Sequence, residues 1–380
     1  MRICFLIDSF FRDDATINGS QVQTLMIARE LMGRGHDVVV LAGSDSTDAG
    51  SSNRIHQGVP VFSFRQSGRH SFLSTRSACA ALRGLAPDVV YVRGRSHLVG
   101  VAAWQKKRRK TGFVWASNGE DGCERWKRLR RLWSGSRPLY RKLLRTPGDF
   151  VDDTLCDIGL PQADRHVCQT QHQCERLKAV HRRTGVVVRS IQSAPPGLPA
   201  KAAPALVLWI GRIVPQRAPE AFVHLAASLG DLDCDFVMVG PARDEQYLRR
   251  VLAMADDIER FRYRGAVSLS ESWTWIARAA VLVNTSAMEG LSNALVQAWC
   301  CATPTVTLSL DPDGLIEQNG IGMRSGDAPG LARDVRMLVE NEALRAEMGA
   351  TAQALTAREF SGASVGAAYE LIFQRAAAHE

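Results

Sequence analysis

Residues 281–322 read VLVNTSAMEGLSNALVQAWCCATPTVTLSLDPDGLIEQNGIG, and the fold is decided by how this stretch is read. It opens on Val281–Asn284, a β-branched run typical of a buried parallel strand, and closes on a second run, Pro304–Leu308. Between them Leu291, Ala294, Leu295, Ala298, Trp299 and Ala302 recur at i, i+3, i+4, i+7, i+8 and i+11, which makes one apolar helical stripe. The spacing therefore predicts strand, loop, helix, strand. A helix starting just after Glu289-Gly290 points free N–H groups and the positive end of its dipole into the loop. That suits a diphosphate, with Gly290, Leu291, Ser292 and Asn293 supplying the helix start. Glu289, Asn293 and Gln297 are spaced by four and predict a polar ridge beside this site. A solvated loop carboxylate and a surface glutamine are the competing reading.

The same residues carry a family resemblance. Glu289-Gly290 at a strand-to-helix junction resembles the E-x7-E signature of retaining glycosyltransferases with the GT-B fold, family 4. Here the second position is Gln297, giving E-x7-Q. The surrounding EGLSN-x4-QAW followed by DPDG is similar to a subset from polysaccharide biosynthesis in which Gln is usual. The resemblance implies that Glu289 contacts the donor sugar hydroxyls and that Gln297 holds the nucleotide ribose. Upstream, the apolar run Ala205–Ile210 precedes Gly211-Arg212-Ile213-Val214-Pro215-Gln216-Arg217. This resembles the family's G-R-x4-K turn, whose two cations hold the donor diphosphate. Arg212 matches, and Arg217 stands for the Lys, keeping the charge but offering a planar fork.

Working outward, 380 residues suit two α/β domains, each able to bury a core. The phrase ARELMGRGHDVVVLAG runs helix, glycine turn, strand, the opening of a doubly wound sheet. Before it, a helix is expected from about Gln21, entered by the loop Ser9–Ser20. Relatives carry a Gly-Gly pair in that loop; Asn18-Gly19-Ser20 is one Gly short, and Gly19 is either a close-approach position or a plain turn. Further strands are expected at Val59–Phe64, Asp88–Val92, Gly112–Ala116, Asp164–Thr170 and Val186–Ile191. The polar loop Ser117–Glu124 follows one of them, at the strand's carboxyl end, where open α/β sheets bind ligands. Relatives often have a His there. This chain has none, so Asn118, Glu120 and Asp121 are the acceptor-side candidates, with an ordinary polar loop as the alternative.

Ser193–Pro204, rich in Pro, Gly and Ala, reads as a linker. The expected domains are an acceptor domain over 1–195, rejoined by a helix over 361–380, and a nucleotide-sugar domain over 205–360. The resemblance implies two Rossmann-like domains facing a cleft, with the last helix crossing back. Nine Cys show no C-x-x-C pair, and the placement of Cys4, Cys79, Cys300 and Cys301 in apolar runs suggests reduced core thiols. MRICFLIDSF reads as a first strand rather than a signal peptide, so a cytoplasmic protein is expected.

Charge is uneven. The chain has 47 Lys and Arg against 39 Asp and Glu, for a net +8. Lys106 to Arg145 alone holds 14 Lys or Arg against only Glu120, Asp121 and Glu124, with Trp126, Leu129, Leu132, Trp133, Leu139 and Tyr140 interleaved. That pattern suits an anionic partner, and above all a helix lying on the inner face of an anionic membrane. A solvated helix packing its apolar side on the domain competes with it.

The resemblance thus implies a retaining transferase that moves a sugar from a UDP- or GDP-linked donor to a glycan or lipid-linked acceptor. It implies no metal and no other cofactor. A catalytically inactive binding subunit is one rival, motivated by Gln297, the absent His and the single Gly19. A basic nucleic-acid-binding protein is another, but it leaves Glu289 and Arg212 unexplained.

Overall fold

The structure is a computed structural model that describes residues 1–10, 19–44, 54–66, 71–135, 138–287 and 289–379. The chain divides into two compact units, Met1–Ile191 with Gly362–Glu380, and Gln192–Ser361. The break falls at the start of the Pro-rich segment, so the linker residues belong to the second unit.

The first unit is built on eight strands: β1 (Arg2–Ile7), β2 (Asp37–Ser44), β3 (Arg54–His56), β4 (Val59–Arg65), β5 (Val89–Arg93), β6 (Gly112–Ala116), β7 (Arg165–Cys168) and β8 (Val186–Val187). Their order is β3-β4-β2-β1-β5-β6-β7-β8, parallel throughout except for β3 against β4. Both faces of the central strands are covered, which is why β1, β2, β5 and β6 are buried along nearly their whole length rather than alternating. Ile3 and Phe5 pack into one core with Val38 and Val40; Cys4 and Leu6 pack into the other with Val39 and Leu41. Burying each large aliphatic side chain contributes about 1.5–3 kcal/mol.

The helix Gly362–Ala377 completes the first of these cores. Val365, Tyr369, Phe373 and Ala376 sit against Leu25, Ala28 and Leu31 of the helix Gly19–Gly33. The contact is close: a Cβ on Gly112 would lie 2.6 Å from the Ala376 carbonyl. Arg34 and His36 both reach Glu370, at 3.2 and 3.0 Å, and hold the helix on the unit.

The second unit has six strands, all parallel: β9 (Ala205–Ile210), β10 (Cys234–Val239), β11 (Phe261–Tyr263), β12 (Val281–Asn284), β13 (Thr305–Thr307) and β14 (Gly322–Arg324), in the order β11-β10-β9-β12-β13-β14. The sheet order reverses between β9 and β12, so their carboxyl ends open a crevice at the topological switch point.

Several boundaries differ from the sequence expectation. The strand expected over Val186–Ile191 pairs only at Val186 and Val187, because β8 is the edge strand and its one partner, β7, ends at Cys168. The signature helix spans Asn293–Cys300, so Ala302 is not its last apolar position. Ala302 instead turns the chain at φ +50° before β13. Gly19 is the first residue of the helix Gly19–Gly33, so the helix starts slightly earlier than expected. Asn18 and most of the loop before it lie outside the described residues. All nine cysteines are free, seven of them buried. Among the described residues no helix is long and apolar enough to cross a membrane.

Candidate active site

The second unit gathers its polar side chains at the carboxyl ends of β9 and β12. After β9 the chain makes the Gly211–Arg217 turn, which ends in a short helical turn, Pro215–Arg217. Arg217 packs directly on Gly211, where a Cβ would lie 2.8 Å from Arg217 Nη1. Gly240, at the end of β10, is more constrained. Its φ is +141°, and a Cβ would fall 1.7 Å from the Gly211 carbonyl oxygen. The two strand ends therefore close on each other and place Arg217 over their backbones.

After β12 three buried polar residues follow in a row, Asn284, Thr285 and Ser286. Thr285 Oγ1 accepts from Trp209 Nε1 at 2.9 Å and donates to the Arg217 carbonyl at 2.7 Å, tying this loop to the Arg217 turn. Ser286 N–H donates to Asn284 Oδ1 at 2.8 Å. That frees the Asn284 amide to donate to Glu289 Oε2 at 3.2 Å, where the Ser286 hydroxyl also arrives at 3.3 Å. Glu289 Oε1 takes a short ion-paired bond from Arg217 Nη2. Both carboxylate oxygens are thus engaged, and both side chains of the pair are largely buried, at 21 % and 16 % exposure. An ion pair shielded to this degree is screened far less than one on the open surface.

The expected polar ridge is not the geometry. Glu289 precedes the helix instead of lying on it, and it bonds to Arg217, Asn284 and Ser286 rather than along a face to Asn293 and Gln297. The reason is that Gly290–Ser292 remain loop, and the helix begins only at Asn293. Leu291 and Ser292 are buried in front of the helix, and the Ser292 side chain makes no capping bond. Asn293 accepts from Gln192 Nε2 at 3.3 Å, and Gln297 is buried at 7 % exposure. Arg212 stands exposed on the turn. In the DPDG segment Asp311 caps the helix Leu315–Asn319, accepting from the N–H groups of Ile316 and Glu317 at 2.8 and 3.2 Å. Asn284, Thr285 and Ser286 were passed over in the sequence. Their signal was there: three polar residues directly at the end of an apolar strand.

In the first unit the acceptor-side candidates follow β6. Asn118 is exposed beside Gly94, Asp121 pairs with Lys127 at 2.7 Å, and the Glu120 side chain lies outside the described residues. Nearby, His97 is fully buried, with Nε2 3.0 Å from Ser74 Oγ and Nδ1 3.8 Å from Asp8 Oδ1. Burial, reinforced by the charge of Arg128, pushes the His97 pKa down to about 4. Burial does the same to His166, also to about 4, and pushes Asp8 up to about 6.

These shifts fix signs. A depressed histidine stabilises the fold above its ordinary pKa of 6.5, and that contribution disappears as pH falls toward 4. For shifts of this size the loss is about 3 kcal/mol per histidine. A raised carboxylate acts in the other direction, so its contribution is present at low pH and lost as pH rises through 6. Asp8 Oδ1 is closed off, yet 41 % of the side chain stays open, so solvent moderates its cost. Asp8→Asn should therefore raise the unfolding temperature at pH 7.5 and confer less benefit at pH 4.5, steepening the acid loss of stability. A benefit that is the same at both pH values would show that Asp8 titrates like an exposed carboxylate.

Two α/β units on mainly parallel sheets, one of them with an arginine–carboxylate pair at its switch point, define the class: a pair of doubly wound Rossmann-like units. Residues 17–191 match the model of Glycosyltransferase Family 4, and residues 204–341 match that of Glycosyl transferases group 1. The chain belongs to the group 1, family 4 glycosyltransferases, with the GT-B fold. A curated relative, lipopolysaccharide core biosynthesis glycosyltransferase LpsE of Rhizobium meliloti (strain 1021), is 26 % identical over 189 residues. That match spans 49 % of this chain and 54 % of the relative, about half of each. Among solved structures, sucrose-phosphate synthase from Thermosynechococcus elongatus superposes with a TM-score of 0.77 at 12 % identity, covering 100 % of both chains. Anabaena Alr3699/HepE in complex with UDP and glucose gives 0.68 at 16 % identity, covering 98 % of this chain and 99 % of that one.

Proposed function

We propose that this chain transfers a sugar from a UDP- or GDP-linked donor, with retention at the anomeric carbon, to a glycan or lipid-linked acceptor in glycoconjugate synthesis. The observation that carries the reading is the joining of Arg217 and Glu289 at the carboxyl ends of β9 and β12 within one unit. Each comes from a different motif of the sequence, 72 residues apart. The resemblance assigns diphosphate to one and the donor sugar to the other, and the two groups are adjacent on that linkage. Donor-side roles fall to Arg212, Arg217, Glu289 and Gln297 with the backbone of Gly211 and Gly290–Asn293. Preorganised cations are worth most where charge builds, here on the departing diphosphate. The fold relative holding UDP and glucose and the lipopolysaccharide-core relative support the donor and acceptor classes.

The test is a thermal-shift screen of the full chain against nucleotides and nucleotide sugars. A ligand at 100 times its dissociation constant should add about 2.7 kcal/mol of stability. The nucleotide sugar that stabilises should then donate its sugar with unchanged anomeric configuration, read by NMR of the product. No stabilisation by any of them would overturn the reading.

Membrane contact belongs to the same proposal, on a narrower surface than the charge count suggested. Much of the basic segment is engaged within the unit. Lys106 pairs with Asp164 at 2.6 Å, Arg128 with the buried Asp152 at 2.6 Å, and Leu132 is buried. The helix Leu139–Gly159 instead presents Leu139, Tyr140, Leu143 and Leu144, each more than half exposed, with Arg141, Lys142 and Arg145 among them. Apolar side chains exposed beside cations suit the interface of an anionic bilayer. Full-length protein should co-sediment with phosphatidylglycerol vesicles, and Leu143→Glu with Leu144→Glu should abolish most of it. Equal sedimentation of the two proteins would remove the membrane from the proposal.

A further inference from the structure

A second polar cavity lies wholly within the first unit, at the carboxyl ends of β5 and β6, and has a volume of about 230 Å³. Pockets for drug-sized ligands begin at roughly 300 Å³, so this one suits a phosphate or diphosphate group. Four cations line it: Arg95 just after β5, and Lys127, Arg128 and Arg131 on the helix Lys127–Ser134. Asn118, just beyond β6, lines it as well.

The site is built rather than a chance cluster of surface charge. The Arg95 side chain is only 3 % exposed. Its Nη2 donates to Asp157 and lies 3.9 Å from Asp153, yet Nε and Nη1 are buried with no acceptor among the described residues. Buried donors are nearly always paired. Two orphans on one guanidinium mark a position that awaits an acceptor from outside the chain.

The buried carboxylates behind the cavity hold the cations in place. Arg128 Nη1 is fixed by Asp152 at 2.6 Å. Asp153 takes the backbone N–H groups of Arg128 and Leu129 at 3.3 and 3.0 Å, and Asp157 takes that of Trp126 at 3.1 Å. These bonds pin the start of the cation-bearing helix, so the cost of ordering it is met before any ligand arrives. Lys127 pairs with Asp121, but that carboxylate is 59 % exposed and the pair is easily exchanged. Arg131 makes no ion pair among the described residues.

We propose that this cavity binds the phosphate or diphosphate of an anionic acceptor, and so assigns the acceptor to the phosphorylated sugars or lipid diphosphates. The acceptor role rests on the transfer reading above; the anion site itself does not.

Calorimetric titration of the full chain with pyrophosphate tests it. The donor-side arginines would also bind this probe, so the titration is repeated in an Arg212→Ala, Arg217→Ala protein. There a pyrophosphate site should persist, and adding Arg131→Glu should weaken it about tenfold or more, as expected for losing a charge-assisted contact. Arg131 is exposed, so this change spares the fold; Arg95→Gln, if it folds, should abolish the site. Glucose 6-phosphate and geranyl diphosphate run as parallel arms distinguish a sugar phosphate from a lipid diphosphate, and tighter binding of one than of pyrophosphate identifies the source. No pyrophosphate binding once the donor arginines are gone, or binding that Arg131→Glu leaves unchanged, would overturn the proposal. Should nucleotide sugars fail to bind while this site persists, the transfer reading falls and the anion site stands.

Discussion

Glu289→Ala should cut sugar transfer by roughly 10²-fold or more while leaving nucleotide binding in place. Removal of one positioned polar group from a site where charge develops has that order of effect. The structure sharpens the expectation on the binding side. Glu289 is the ionic partner of Arg217, so its loss releases a cation that the resemblance assigns to the donor diphosphate. Nucleoside diphosphate should then bind as well as before or somewhat more tightly, while kcat falls. Glu289→Gln is the finer probe. An amide can still accept from Asn284 and Ser286, preserving the loop, but it no longer offers a charge to Arg217 or to the sugar. Steady-state kinetics with the donor found by the nucleotide screen, together with nucleotide titrations, separate these effects. Full kcat in Glu289→Ala would sink the catalytic assignment. Gln297 provides the contrast: if it touches only the ribose, Gln297→Ala raises the donor KM and spares kcat, because that contact is the same in ground and transition states.

The parts of this architecture that were legible in the sequence are those fixed by local pattern. The apolar runs at Gly112–Ala116, Ala205–Ile210 and Val281–Asn284 are strands to the residue, because both sheet faces are covered and the runs are apolar up to the closing Asn284. The motif residues were legible for a related reason: Gly211, Arg212 and Arg217 follow directly on an apolar strand. Contacts between distant segments were not legible. Nothing in the spacing of Asp152, Asp153 and Asp157 says that they face Arg95, Arg128 and the backbone of Trp126 to Leu129, 24 to 62 residues earlier. The basic segment accordingly looked like one charged surface. The structure sorts it into cations held by buried carboxylates and a smaller, apolar-studded helix start. The ridge through Glu289 failed on a boundary. Helix starts are set by a few loop residues, and here three of them separate the carboxylate from the helix.

Arg217→Ala should be the other severe change. It removes a charge-assisted contact to the donor diphosphate worth about 1.5–3 kcal/mol. That corresponds to roughly 10- to 100-fold in donor affinity. Because negative charge grows on the diphosphate as the sugar departs, part of the loss should appear in kcat as well. The fold should survive, since Arg217 holds the β12 loop through its carbonyl, which accepts from Thr285 whatever the side chain. Arg217→Lys, the residue that the family's G-R-x4-K turn carries, restores the charge without the fork. It should recover most of the affinity if the cation matters, and little if the planar fork does. The pairing with Glu289 supplies a stricter criterion. Independent groups give additive losses, whereas groups acting through one another do not. With the ion pair seen here, the Arg217→Ala, Glu289→Ala double variant should lose scarcely more activity than the worse single variant. Full additivity would mean that the two side chains meet only in the empty site and part when donor binds. The ion pair would then be a resting contact, and the two motifs would contribute separately to transfer.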